Sequence, residues 1–322
     1  MLSLLKKNQP ANILPNYAKN IKTYFQNITK RLFCCKKSQN HLLYLVLFTK
    51  GGHYMLSDFH LHSHYSADSE TLPEDVIETA IKLGMKCICF TEHNDFEFPK
   101  NHDNFDFTLD TKAYFNELNT LKEKYSSRID VRIGLEAGLE ICFEDRINNL
   151  INNNSFDFVI GSSHLINRLD PYYPEFFENR TEKECFEEYF INILDNVKTF
   201  DNFDVYGHLD YIVRYPDTKD KYYSYSAFGD IIDEILRTLI YKGKGIEVNS
   251  GGLRCGLTFP NPHPDIIKRY KELGGEILTI GSDAHTTEYI GKYFDRIEDI
   301  IKACGFEYYT IFKNRKPEFI KL

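Results

Sequence analysis

Residues 55–68 (MLSDFHLHSHYSAD) place three histidines at alternate positions between two aspartates. Alternate residues of an extended chain face the same side, so a strand over 58–62 would direct the imidazoles of His60 and His62 to one face. A pair of this kind can bind a metal ion, but it can also be an ordinary feature of a strand. The distinction depends on whether the rest of the chain supplies partners.

Ligand-type side chains also stand at or just after the ends of five of the six other predicted strands. They occur in the motifs TEH, GLE, SSH, GHLD and SDAH, and the residues are His93, Glu136, His164, His208, Asp283 and His285. Asp68 follows the first strand on the same loop as the opening histidines. Because the carboxyl ends of the strands in a βα barrel gather at one mouth, we expect these nine side chains to converge.

A set of imidazoles and carboxylates without thiolates indicates Zn²⁺, Mn²⁺ or Fe²⁺. Each such ion takes about four to six ligands, so nine candidates imply two or three divalent ions, with a carboxylate as the bridge. Such ions lower the pKa of a bound water, which can then act as a hydroxide nucleophile. Cys87 and Cys89 lie in an apolar run and are interpreted as strand core rather than as a metal pair.

Seven β-like segments alternate with seven helical ones after residue 57. The strands are predicted over 58–62, 86–91, 131–136, 156–161, 203–208, 245–249 and 276–282. The helices are predicted over 73–83, 111–125, 143–152, 181–199, 226–242, 264–273 and 288–304. This order predicts an α/β fold with a closed or nearly closed barrel, with a doubly wound open sheet as the alternative. The insert 167–180 is predicted to be a long loop over one face.

Charge divides the chain into a basic leader and an acidic body. Residues 1–54 contain nine Lys and Arg and no acid, which leaves 30 basic and 47 acidic residues and a formal charge of −17 for the remainder. An acidic body disfavours nucleic acid as a partner.

The apolar run 42–48 is too short to span a bilayer, which needs about 20 residues. We interpret 1–54 as an extension outside the fold, although an organelle address or a lipid anchor at Cys34 and Cys35 remains an alternative. Eight scattered cysteines favour a reducing, cytoplasmic location.

The motif set HLH…D, TEH, GLE, SSH, GHLD, SDAH resembles the polymerase-and-histidinol-phosphatase (PHP) family over residues 55–322. The resemblance implies a distorted seven-stranded βα barrel of the TIM type with a trinuclear metal site. Matched position by position, it implies that the metal ligands are His60, His62, Asp68, His93, Glu136, His164, His208, Asp283 and His285. The second motif often has Asp where this chain has Glu92. His64 is skipped by the family pattern and is expected at the rim.

The segments NSGGLRCGLTFPNPHP and GHLDYIVRYP resemble the monofunctional histidinol-phosphatase branch of the family. That resemblance implies phosphate-binding arginines at Arg214 and Arg254, for which a surface ion pair is the alternative. Arg168 and Arg180 in the insert are weaker candidates. Asp95 and Asp210 are predicted near the rim, where either could orient a ligand histidine or donate a proton.

The function implied is a metal-dependent hydrolysis of L-histidinol phosphate to L-histidinol and phosphate, as in histidine biosynthesis. Glu97 and the tyrosines of DPYYPEFF are candidates for contacting its amine and imidazole, and His263 is expected to be a loop residue. Three alternatives are open: a PHP phosphoesterase for another small monoester, a metal-dependent deacylase, and a metal-binding module without catalysis.

Overall fold

The structure is a computed structural model that describes residues 57–100 and 104–322. The basic leader therefore lies outside the described residues, and its interpretation stays a prediction. In the described part of the chain, no helix combines the length and the apolar character that crossing a bilayer requires.

Seven parallel strands form one sheet in which each strand pairs with the next along the chain. The strands are β1 Ser57–Leu61, β2 Cys87–Asn94, β3 Asp130–Gly138, β4 Phe158–Ser162, β5 Val205–Tyr206, β6 Gly245–Asn249 and β7 Leu278–Gly281. A parallel bridge between Leu61 and Ala284, with the N–H of His62 donating to the carbonyl of Ala284 at 3.0 Å, brings β1 beside β7. The sheet is thus a nearly closed barrel. The predicted TIM-like class is confirmed, and the doubly wound alternative is wrong.

Seven helices cover the outside of the barrel in the described part of the chain, and a short eighth helix lies at its mouth. They are α1 Pro73–Lys82, α2 Thr111–Tyr125, α3 Glu144–Asn152, α4 Glu182–Thr199, α5 Gly229–Tyr241, the short α6 Gly251–Arg254, α7 Pro264–Glu272 and α8 Phe294–Ala303. Helix α1 begins with Pro73 and two acidic residues, and α4 begins with a capping box between Thr181 and Glu184. Both starts satisfy or complement the free N–H groups of a first helical turn.

The last helix begins later than predicted. It starts at Phe294 rather than at 288, because residues 287–289 form a separate 3₁₀ turn and Gly291 and Tyr293 adopt positive φ angles of 62° and 65°. Left-handed residues interrupt the helical hydrogen-bond pattern, so the periodicity of 288–293 does not produce helix.

A C-terminal hairpin that the sequence did not predict closes the amino-terminal end of the barrel. Its strands are β8 Tyr308–Lys313 and β9 Lys316–Lys321. The ring of Phe312 stacks on Phe158 with centroids 4.9 Å apart. The N–H groups of Asn314 and Arg315 are donated to Asp157, just before β4. The hairpin therefore leaves the opposite, carboxyl-terminal mouth open for a site.

Candidate metal centre and phosphate site

Five imidazoles surround the carboxylate of Glu136, which projects from β3 and is completely buried. Its Oε1 lies 2.8 Å from His208 Nε2 and 3.1 Å from His164 Nε2. The distances from its Oε2 are 3.1 Å to His60 Nε2, 3.0 Å to His93 Nδ1 and 3.5 Å to His62 Nε2. Both oxygens of one carboxylate thus face nitrogen donors from the ends of four other strands.

Asp68 and His285 complete the outer side of this cluster. Asp68 Oδ2 lies 3.0 Å from His285 Nε2 and 3.7 Å from His93 Nε2. The ring of His62 stacks between those of His93 and His285, with centroids 4.2 and 4.1 Å away. Asp68 and His285 are partly exposed, so this side of the cluster faces the mouth of the barrel.

Asp283 joins the imidazole cluster to two arginines. Its Oδ1 lies 3.6 Å from His62 Nε2 and 3.9 Å from His60 Nε2. Its Oδ2 accepts a hydrogen bond from Arg214 at 3.0 Å and lies 3.9 Å from Arg254. One carboxylate therefore borders the candidate metal centre on one side and a guanidinium pair on the other.

The cluster leaves buried polar atoms without hydrogen-bond partners among the described residues. They are His60 Nε2, His62 Nε2, His93 Nδ1 and Glu136 Oε2. Buried polar atoms are nearly always paired, so four unpaired ligand atoms facing one another fit a bound cation. Four overlapping groups have all their donor atoms within 4.8 Å of one another: His62, His93 and His285; His60, His62 and Asp283; His60, Glu136 and His208; and His93, Glu136 and His164. The donor set suits more than one divalent ion.

Electrostatics keep the two central carboxylates ionised. Burial alone would raise the pKa of Glu136, but the imidazoles of His60, His164 and His93 hold it well below its ordinary value. Burial opposes ionisation of Asp283 as well, and there His60 and Arg214 hold the pKa well below its usual range. Both side chains are thus available as anionic ligands at neutral pH.

Two further polar residues hold the histidines in place. Asp95 lies 2.9 Å from His164 Nδ1, as expected for a residue that orients a ligand histidine. Glu247, which the sequence analysis missed, lies 2.6 Å from His60 Nδ1 and accepts the backbone N–H of His208 at 2.9 Å. The available signal was the sequence GIEVN, where an acid occupies the centre of an apolar strand two positions before Asn249.

Arg214 is held in one orientation by three oxygen atoms. Its Nε–H is donated to Asn261 at 2.7 Å, and its two terminal nitrogens donate to Asp283 at 3.0 Å and Asn249 at 3.0 Å. The guanidinium carbon lies 4.9 Å from the ring centre of Tyr211. Arginine has five N–H donors, so two are not used in these three bonds.

Arg254 also points toward Asp283 and is less constrained. It donates to the backbone carbonyls of Ser282 at 3.2 Å and Asp283 at 2.8 Å, and it stacks on Tyr289. Its side chain is partly exposed, which leaves donors free at the mouth. Arg214 and Arg254 are therefore the two guanidinium groups at the border of the candidate metal centre.

The weaker arginine candidates serve other contacts. Arg168 donates to Glu140 at 2.6 Å and to the backbone carbonyl of Phe96. Arg180, which lies just before α4, pairs with Glu188 of that helix and with the backbone carbonyl of Phe176 in the insert. Both residues fasten the insert 167–180 to the barrel, and neither is placed beside the cluster.

The remaining predicted residues take peripheral or supporting positions. His64 lies at the rim, 3.6 Å from Glu117, with a third of its side chain exposed. Asp210 does not contact a ligand histidine. It accepts from Asn261 at 2.6 Å and from the N–H of His263 at 2.8 Å, so it supports the partner of Arg214. The imidazole of His263 caps α7, as a loop residue would.

A cavity of about 140 Å³ lies between the insert and the β2–α2 loop. It is lined by Phe98, Pro99, Arg168, Leu169, Asp170, Tyr173, Glu175 and Phe176. Tyr172, beside Asp170, contacts the ring of Tyr215, which in turn contacts Tyr211 next to His164. Glu97, a sequence candidate for binding a cation, is instead paired with Arg146 at the surface.

Comparison with known proteins identifies the family. The family model for the PHP domain matches residues 58–251. A histidinol-phosphatase of Lactococcus lactis is 37% identical over 265 residues, which cover 80% of this chain and 95% of that protein. A probable histidinol-phosphatase of Clostridium acetobutylicum is 34% identical and covers 79% of this chain and 95% of that protein.

Solved structures agree with this comparison. The crystal structure of histidinol phosphate phosphatase from Lactococcus lactis, in complex with zinc, L-histidinol and phosphate, superposes with a TM-score of 0.75 at 36% identity and covers 81% of this chain and 98% of that one. A putative histidinol phosphatase of Listeria monocytogenes shares the fold with a TM-score of 0.65 at 20% identity. The seven-stranded barrel with its cluster of imidazoles and carboxylates matches the PHP domain family, and this chain belongs to that family. Within it, the chain falls in the histidinol-phosphatase branch, so the predicted family and branch are confirmed.

Proposed function

We propose that this chain is a metal-dependent phosphatase that hydrolyses L-histidinol phosphate to L-histidinol and inorganic phosphate. The observation that carries the proposal is the buried imidazole and carboxylate cluster whose Asp283 also binds Arg214. A phosphate monoester dianion suits this position, because the bound metal ions would supply positive charge on one side of it and the guanidinium groups supply it on the other. The 37% identity to a histidinol-phosphatase supports the choice of substrate.

Two or three divalent ions are proposed, and the ligands are the nine residues predicted from the sequence. These are His60, His62, Asp68, His93, Glu136, His164, His208, Asp283 and His285. Bound ions would supply Lewis-acid chemistry and a water of lowered pKa. Zinc, manganese and iron all suit this donor set, and the zinc in the Lactococcus lactis structure supports zinc. Glu136 is proposed as the bridging ligand because each of its oxygens faces different imidazoles.

Arg214 and Arg254 are proposed to hold the phosphate. Arg214 is already fixed by Asn261, Asn249 and Asp283, so binding phosphate costs little further side-chain entropy. Its two remaining N–H groups can hold phosphate oxygens and neutralise the charge that develops on them. Arg254 would add a second guanidinium from α6.

Asp170 is proposed to bind the cationic end of the substrate. Its carboxylate lines the cavity between the insert and the β2–α2 loop and accepts a hydrogen bond from the backbone N–H of Tyr172 at 2.8 Å. Burial raises the pKa of Asp170, and the imidazole of His164 is near enough to oppose that rise. Arg168 lines the same cavity, but its guanidinium donates to Glu140 and to the backbone carbonyl of Phe96. The mostly buried carboxylate of Asp170 can therefore pair with an ammonium or imidazolium group. The aromatic rings of Phe98 and Tyr173 in the same lining can pack against an imidazole.

The acidic body disfavours nucleic acid as a partner, and the cytoplasm remains the predicted location. Neither expectation is needed for the proposed reaction.

The test is phosphate release from a panel of monoesters by protein purified without chelator, with the metal content measured in the same sample. The panel contains L-histidinol phosphate, a nucleoside monophosphate, a sugar phosphate and an aryl phosphate. The value of kcat/KM for L-histidinol phosphate should exceed the others by at least about 100-fold, since a site that pairs with a charged group strongly rejects substrates without it. Equal rates across the panel would support a general phosphoesterase. If the metal-loaded protein turns over none of the substrates, the chain would be a metal-binding module without catalysis.

A variant pair tests the part assigned to Asp170. Asp170→Asn should lower kcat/KM for L-histidinol phosphate by about 10- to 100-fold, because a charged partner is lost. It should change the rate on 3-phenylpropyl phosphate, which has an alkoxide leaving group and no cation, by less than about threefold. The control is Glu178→Gln, an exposed acid of the same insert. Equal losses on both substrates would indicate that Asp170 acts on the leaving group or on the fold.

A further inference from the structure

Ser66 lies on the loop after β1 and is almost completely buried. Its hydroxyl oxygen contacts three groups at hydrogen-bond distance. The backbone N–H of His93 lies 3.0 Å away, the Nδ1 of His62 lies 3.0 Å away and the Oε2 of Glu92 lies 2.7 Å away. The Ser66 hydroxyl therefore connects His62 and His93, two candidate metal ligands, to Glu92, which is not a candidate ligand.

Glu92 is buried on β2 and points away from the cluster, since its neighbour His93 points into it. Its carboxylate accepts from the backbone N–H of Ser63 at 2.9 Å and from the hydroxyl of Ser63 at 2.6 Å, in addition to Ser66. Each of these three groups donates its hydrogen to Glu92. The carboxylate thus acts as the acceptor at the end of the chain of contacts.

The donor and acceptor count assigns the proton on His62. A serine hydroxyl has one hydrogen and two lone pairs. The hydrogen of Ser66 is donated to Glu92, and one lone pair accepts the N–H of His93. The second lone pair can then only accept a hydrogen from His62 Nδ1. His62 Nε2 is left with its own lone pair, and this is the buried unpaired atom that lies 3.5 Å from Glu136.

We infer that Ser66 and Glu92 are positioning residues that fix the tautomer and the orientation of His62 for metal binding. The inference rests on the metal site of the proposed function. Ser66 acts on His62 directly and on His93 through its backbone, so one side chain serves two of the three imidazoles that stack at the outer side of the cluster. Partners of this kind set the basicity and direction of a ligand nitrogen.

The experiment measures zinc affinity of the full chain by competition with a chromophoric chelator. Ser66→Ala should bind zinc about 10- to 100-fold more weakly than the unmodified chain, since removing an outer partner of a ligand histidine has effects of this size. Ser66→Thr, which keeps the hydroxyl, should restore most of the affinity. The matched control is Ser63→Ala, which removes a hydroxyl from the same carboxylate without touching an imidazole. It should stay within about threefold of the unmodified chain.

Unfolding by urea in the presence of chelator separates structural loss from loss of metal binding. Ser66→Ala should lose more stability without metal than Ser63→Ala, because it removes the partners of the His93 N–H and of His62 Nδ1 as well as the contact to Glu92. Zinc affinity is therefore compared under conditions in which both variants are folded without metal. Unchanged zinc affinity in Ser66→Ala would overturn the inference, and so would equal weakening in Ser63→Ala and Ser66→Ala. An unmodified chain that binds no zinc, manganese or iron would instead overturn the proposed function.

Discussion

Replacing Arg214 by lysine keeps one positive charge at the barrel mouth but removes the planar fork. The fork donates to Asn261, Asn249 and Asp283 and keeps two N–H groups for a ligand. A lysine ammonium is a single point on a flexible stem, so it can satisfy at most a subset of these oxygens and cannot bind phosphate with two parallel hydrogen bonds.

The size of the effect follows from the bonds that are lost. A hydrogen bond to a charged group contributes about 1.5–3 kcal/mol. Losing one such bond to phosphate should lower kcat/KM by about 10- to 150-fold, at about 1.4 kcal/mol for each factor of ten. Arg214→Lys should also lower the free energy of unfolding by about 1–3 kcal/mol, because buried acceptors on Asn261 and Asn249 lose their donor.

The assay is kcat/KM for L-histidinol phosphate together with the inhibition constant of inorganic phosphate. In Arg214→Lys the value of kcat/KM should fall and the inhibition constant of phosphate should rise, while the metal content stays unchanged. The matched control is Arg128→Lys, which alters an exposed pair with Glu78 and should change kcat/KM by less than about twofold. If Arg214→Lys keeps more than a third of the activity and phosphate inhibits it as before, Arg214 does not hold the phosphate.

Three further predictions concern the metal centre and the substrate cavity. Removing metal with a chelator should abolish turnover and lower the thermal midpoint, because the unpaired buried ligand atoms then lose their cation. Gly138→Ala should reduce metal content and cost about 1–3 kcal/mol of stability, since the added methyl collides with the carboxylate of Asp95 that holds His164. Burial raises the pKa of Asp170 to about 6, so KM for L-histidinol phosphate should rise below that pH as the carboxylate is protonated, and KM for an aryl phosphate should rise less.

The positions of the candidate ligands could be predicted because they depend on local geometry. His60 and His62 share a face through the period-two alternation of a strand, and Glu136 and His208 occupy strand ends that a barrel must bring to one mouth. Parallel strands buried on both sides give continuous apolar runs, so their carboxyl ends are visible in the sequence. The structure places all nine predicted ligands in one cluster, and their role as ligands stays a prediction.

The C-terminal hairpin could not be predicted for a reason of turn chemistry. Its connection is Asn314 and Arg315, both with positive φ angles of 50° and 63°. Tight hairpins of this geometry are usually marked by a glycine in one of these two positions. An arginine there gives no such signal, so the two short strands 308–313 and 316–321 were not recognised.

The residues that orient the ligands could not be predicted, because their partners are set by the closure of the barrel. Glu247 reaches His60 from β6 only because β7 brings β6 close to β1. Asn249 and Asn261 meet Arg214 for the same reason. A cation restricts its ligands to a few side-chain types, whereas any acceptor at the right distance can hold an imidazole or a guanidinium. The sequence therefore indicates which atoms can touch the metal and the phosphate, and only the folded barrel shows which atoms hold those side chains in place.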